Sequence, residues 1–163
     1  MGKHKILIFS FLFLLGSAWC SARQVSFQIV QHDGPSELLE ESLTIEDEVM
    51  NNFFDYGYIV TNSDAQVSSS EKQDEKLFNT GIGEAIEGFS DYFIQIKLFY
   101  NRTEQKDDTP DLKKIDWTLA SAKTGEKIRN HTITDIKLEH KKDDMKNISS
   151  ALAAEINKVL KAK

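Results

Sequence analysis

The sequence predicts an α/β fold of the α+β kind: a mixed sheet of about five strands in the order 2-1-3-4-5, with helices packed on at least one face. Three observations predict it. In the stretch from Asp91 to Ile133, Ile94, Ile96, Leu98 and Tyr100 fall on one face of a period-two strand, and Ile115, Trp117 and Leu119 repeat the pattern after a polar loop. Lys123-Thr124-Gly125-Glu126 then supplies the glycine that a short hairpin turn needs at positive φ, so the meander continues into a third strand. Ahead of the meander two strands alternate with two amphipathic helices, and a helix closes the chain, giving β-α-β-α-β-β-β-α. Right-handed crossovers place the first two strands side by side in parallel, with the long third strand on the other side of the first.

Residues 1–22 differ in kind from the rest of the chain. Lys3, His4 and Lys5 make a basic start, residues 6–15 are an apolar run and small residues come next, which is the pattern of a secretory signal peptide. The domain reading is therefore a leader over residues 1–22 and one globular domain over residues 23–163, exported. Cleavage reads two ways. Cys20 and Ala22 place small side chains where type I signal peptidase needs them; alternatively Cys20 carries a lipid, although Ser17-Ala18-Trp19 departs from the usual lipobox. Cys20 is the single cysteine, so the folded domain has no disulfide and its stability rests on its core.

The first strand places Val25, Phe27 and Ile29 on one face, and His32-Asp33-Gly34-Pro35-Ser36 ends it. A helix capped by Asp33, Gly34 or Ser36 is expected to run to about Phe54, with Leu38, Ile45, Val49 and Phe53 as its apolar stripe and Leu39, Leu43 and Met50 widening it. Gly57 stops it, and Tyr58 to Thr61 forms the second strand. A polar, serine-rich loop over residues 62–74 merges into a second helix from about Glu71, with Phe78, Ile82, Ala85 or Ile86, and Phe89 on its apolar face. Gly81 and Gly83 each weaken that helix by about 1 kcal/mol relative to alanine, so its first half is expected to be loose or interrupted. After the meander Ile136 and Leu138 form a short strand or extended edge. Asp143 or Asp144 caps the last helix, whose stripe is Met145, Ile148, Leu152, Ile156 and Val159, with Lys158, Lys161 and Lys163 at its negative end.

At 40% hydrophobic and 28% charged residues the composition is ordinary for a globular domain. Loss of Lys3 and Lys5 with the leader takes the formal net charge from −6 to −8. That sign argues against nucleic acid or anionic lipid as the main partner; membrane contact is left to an anchor at Cys20.

Chemistry-bearing residues are few. His32-Asp33, at the carboxyl end of a strand, reads as an acid/base or metal pair, or as a loop and helix cap, and Asn62 lies near enough in the topology to join them as a ligand or partner loop. His131 and His140 lack metal-ligand spacing and fit a solvated charge run. Gly81-x-Gly83 lacks the third glycine and the lysine of a phosphate loop. There is no Gly-x-Ser-x-Gly elbow and no cysteine outside the leader, so covalent hydrolysis has no nucleophile. The acceptor triplets at Asn101, Asn130 and Asn147 have meaning only in a eukaryotic secretory pathway.

Four stretches carry a resemblance to a known superfamily: residues 49–60 ending Gly57-Tyr58-Ile59-Val60, residues 84–94, residues 117–126 with the Lys-Thr-Gly-Glu hairpin, and Ala151-Leu152-Ala153-Ala154-Glu155-Ile156. Together they resemble bacterial envelope proteins that include the amino-terminal domain of the Tol-system propeller protein, the curli-secretion lipoprotein and the lipoprotein activators of penicillin-binding proteins. The resemblance implies a non-enzymatic protein without cofactor, in the periplasm or at the outer membrane, binding an envelope protein. Two functions are thus expected to compete. One is a protein-binding or assembly module using an edge strand or the loop over residues 101–111; the other is a periplasmic small-molecule or ion carrier using His32, Asp33 and Asn62.

Overall fold

The computed structural model describes residues 22–101, 111–134, 136 and 141–162. Its order is β1 (Gln24–His32), α1 (Glu40–Asp55), β2 (Ile59–Asn62), β3 (Gln66–Val67), α2 (Glu71–Glu87), β4 (Tyr92–Tyr100), β5 (Leu112–Ser121), β6 (Lys127–Ile133) and α3 (Lys141–Lys161). Residues 1–21 with Cys20, Leu138, His140, Arg102 and Thr103 of the acceptor triplet at Asn101, and most of the loop over residues 101–111 lie outside the described residues.

One mixed sheet runs β2-β1-β4-β5-β6, the expected order, with β2 and β4 parallel to β1 and the rest antiparallel. The two-residue β3 is an addition: it pairs with the far end of β1, Val30 opposite Gln66 and Gln31 opposite Val67, giving six strands. The meander pairs antiparallel, and the apolar faces read from the sequence meet one another. Ile94 faces Leu119, Ile96 faces Trp117 and Leu98 faces Ile115. Gly125 turns the hairpin at φ 69°.

α1 and α3 cover one face of the sheet. Phe27 and Ile29 of β1, Ile45, Val49 and Phe53 of α1, Trp117 of β5 and Leu152 and Ile156 of α3 form one continuous core. Phe27 and Phe53 meet edge-on at 5.0 Å between ring centroids. At α1 the expected stripe needs amending: Leu43 is exposed, while Ser42 and Glu46 are buried. No side chain from Asp33, Gly34 or Ser36 caps this helix. Its N-cap is Leu39, and Gln31 of β1 takes over the capping role. Gln31 Oε1 accepts from Leu39 N and Ser42 Oγ, both at 2.9 Å, and its Nε2 donates to the carbonyls of Pro35 and Glu37. A strand side chain thus satisfies a donor that the helix terminus leaves open. Ser42 Oγ lies 2.8 Å from the Tyr100 hydroxyl, whose pKa burial pushes up to about 12.

α2 lies alone on the opposite face, over Phe93, Ala120 and Ala122. It is unbroken from Glu71 onward. Ser70 caps it, accepting from Gln73 N at 3.3 Å, while Gln73 Oε1 accepts in return from Ser69 N, a close relative of the capping box. Gly81 is where the helix comes closest to the sheet: a Cβ there would run into the Phe93 ring. The glycine read as a weakness is therefore what admits that ring. Phe89 falls past the helix end and is exposed, leaving Phe78 and Ala85 as the buried contacts. Asp143 and Asp144 sit inside the first turn of α3 rather than at its cap.

Candidate functional site

Along β1, the even positions point towards α2 and the odd ones towards α1, so His32 and Gln31 part company. His32 packs flat on Phe99 of β4, ring centroids 4.5 Å apart. Its Nε2 is 3.0 Å from Asp74 Oδ1 on α2, a close electrostatic contact off the direction of a hydrogen bond. Asp74 also accepts from Ser68 Oγ at 2.5 Å and from Lys97 Nζ at 3.3 Å. Burial holds the His32 imidazole below its ordinary pKa of 6.5, against the pull of Asp74 and with a further push from Lys97. Beyond Phe99, Lys114 Nζ stands 3.6 Å from the ring centroid and 3.0 Å from Asp116 Oδ2.

Asp33 takes φ 58° in the exposed turn after β1. Asn62 pairs opposite Phe27, on the α1 side of the sheet, and donates to Glu46 Oε1 at 3.3 Å. Burial raises the Glu46 carboxyl above its usual pKa. His32 and Asn62 are thus on opposite faces, and the partner of His32 is Asp74, 42 positions downstream. Sequence reasoning missed Asp74, Ser68 and Lys97. The one available signal was a lysine in the middle of a nine-residue strand whose neighbours are mostly buried. His131 approaches Glu155 of α3 at 3.5 Å. Among the described residues no group of three or more His, Cys, Asp or Glu is placed to hold a metal ion, and no helix is long and apolar enough to cross a membrane.

The sheet's two margins contrast. On one side the edge is split between the four residues of β2 and the two of β3. On the other, β6 presents seven continuous residues, five of them exposed, with only β5 beside them among the described residues. An open hollow flanks β6 on each face of the sheet. One, of about 450 Å³, is lined by Lys97, Asp116, Thr118, Asn130 and Thr132; the other, of about 480 Å³, by Ile128, Arg129, Glu155, Lys158 and Val159. An edge backbone with a hollow on either side is the geometry that accepts an added strand, whose side chains point alternately to the two faces.

A family model described as "Uncharacterised protein" matches residues 24–161, and the chain belongs to that family. No curated protein matches it. Among the solved structures to which the chain is similar are the following three. One is lipoprotein GNA1162 from Neisseria meningitidis, with 10% identity over 83% of this chain and 99% of that one at a TM-score of 0.46. Another is the hypothetical protein CT253 from Chlamydia trachomatis, with 10% identity over 86% and 99% at 0.49. The third is the C-terminal domain of LpoB from Salmonella enterica, with 17% identity over 75% and 89% at 0.40.

Proposed function

We propose that this is an exported, non-enzymatic protein of the bacterial envelope that binds another envelope protein through the outer edge of β6. The observation that carries the reading is the continuous exposed strand between two hollows. Lys127 and Arg129 give this edge a positive character, although the chain as a whole is acidic. Such side chains discourage self-pairing, which would bring the same cations together, and favour an extended segment carrying Asp or Glu. Export is supported by the leader pattern over residues 1–22, and the envelope setting by the resemblance of the four sequence stretches.

A photo-crosslinking amino acid at Asn130, expressed in the native cell, tests this. The expected result is one discrete adduct that is absent with the crosslinker at Lys72 and falls at least several-fold when Arg129→Glu is added. Arg129 is exposed, so that change leaves the fold intact. Adducts of equal yield at both positions, or one indifferent to Arg129→Glu, would rule the edge out.

A further inference from the structure

The N-terminal ends of β1, β2 and β4 and the C-terminal ends of all three helices gather at one end of the molecule. Five of the six exposed large apolar side chains among the described residues sit there: Phe54, Tyr56, Ile59, Ile86 and Phe89. Phe54 is 72% exposed and Phe89 is 89% exposed. The chain from the leader also arrives at this end, where the Arg23 guanidinium donates to the Leu160 carbonyl of α3 at 2.9 Å.

The two helix caps at this end make the apolar residues harder to dismiss. After α1, Gly57 N donates to Phe54 O and Tyr58 N to Phe53 O, with Gly57 in the left-handed region at φ 88°. After α2 the same double bond pattern recurs: Phe89 N donates to Ile86 O and Ser90 N to Ala85 O. Here Phe89 occupies the left-handed position at φ 59°. Glycine fills that position at no steric cost, whereas a bulky aromatic residue is strained in it. Phe89 gains no burial in return. A strained, solvent-facing phenylalanine is what a contact outside the chain would explain.

We infer that this apolar end rests on a lipid bilayer, with Phe54 and Phe89 reaching the boundary between headgroups and acyl chains. The occupant follows from where the remaining chain leads. Cys20 is four residues before β1, about 14 Å of fully extended chain at most. The apolar run over residues 6–15 lies just beyond it, so a leader or lipid held in a membrane brings this end, and no other, against the surface. The acidic net charge argues against electrostatic attraction, so the contact is apolar and is kept on zwitterionic lipid and in high salt. This inference goes beyond the β6 reading and stands or falls separately from it.

The test uses the full chain with phosphatidylcholine vesicles containing a nitroxide-labelled lipid, and an environment-sensitive fluorescent amino acid at position 54, 89 or 72. Quenching several-fold stronger at 54 and 89 than at 72, unchanged by high salt, is the expected outcome. Phe89→Gly should raise the melting temperature while reducing vesicle retention, opposite signs that a merely structural residue would not give. Equal quenching at all three positions, or no retention on vesicles, overturns the inference. So does energy transfer between labelled copies without lipid quenching, which would identify a second copy of the chain as the cover.

Discussion

The two faces of the sheet are built differently. Towards α1 and α3 the strands β1, β4 and β5 contribute large buried apolar side chains, and Trp117, Phe27 and Phe53 belong to one continuous core. Towards α2 the apolar contact is small, Phe78 and Ala85 against Phe93, Ala120 and Ala122. The rest of that face is polar and tied by pairs: Gln95 Nε2 donates to Gln28 Oε1 at 2.9 Å, and His32, Ser68 and Lys97 converge on Asp74. One face holds by area removed from water, which is not directional. The other holds by a few contacts that must all be made, because a buried group left unpaired costs more than a made bond contributes.

Truncation separates the two faces. Phe53→Ala on the apolar face removes a fully buried ring in contact with Phe27 and Tyr58. It should cost about 3–5 kcal/mol in urea-induced unfolding, the range for aromatic truncation in a packed core. Asp74→Ala removes little volume but takes the shared carboxylate away from His32 and Lys97 and leaves Ser68 Oγ only the Ser70 carbonyl at 3.2 Å. It should cost about 2–3 kcal/mol, and Asp74→Asn less, since an amide oxygen still accepts from Ser68. If Asp74→Ala proved neutral, the α2 face would hold by its apolar contacts alone.

Two glycines two positions apart sharpen the same contrast within α2. Gly81→Ala forces a methyl into the Phe93 ring and should destabilise by about 1–3 kcal/mol despite alanine's better helix propensity. At Gly83 an added methyl would meet nothing within 4 Å, so Gly83→Ala should stabilise by up to about 1 kcal/mol. Equal effects at both sites would mean that helix propensity, not the close approach to Phe93, governs this helix.

These glycines show what the sequence could and could not reveal. The period-two strands, Gly57, Gly125 and the order of the sheet were legible because each is a local pattern or follows from connection rules. Gly81 read as a helix weakness because its reason, Phe93, lies on another element. β3 was invisible because two residues carry no periodicity. Gln95 and Lys97 alternate with apolar neighbours, a pattern that fits the wet side of a half-buried strand, and only the placement of α2 turns that side inward. For His32 the chain position suggested Asp33 as partner, but strand alternation sends it to α2. Of the margin proposed to bind, the strand was legible, while its role as the outer edge followed from the expected order 2-1-3-4-5.

The smallest expected effect is also the most specific to the polar face. The pKa of His32 in the folded protein lies below its ordinary value of 6.5, chiefly because burial disfavours the charged ring. The unfolded chain therefore binds a proton more readily than the native one. Above 6.5 both states hold the ring neutral and the fold keeps this contribution in full; as pH falls from 6.5 through the lower folded value, stability is lost. His32→Phe keeps a ring against Phe99 but cannot titrate, so its unfolding free energy should decline less than the wild type's over that interval. Parallel pH profiles for the two proteins would show that Asp74 offsets the cost of burying the charged imidazole, and that α2 is held to the sheet equally well by a protonated histidine.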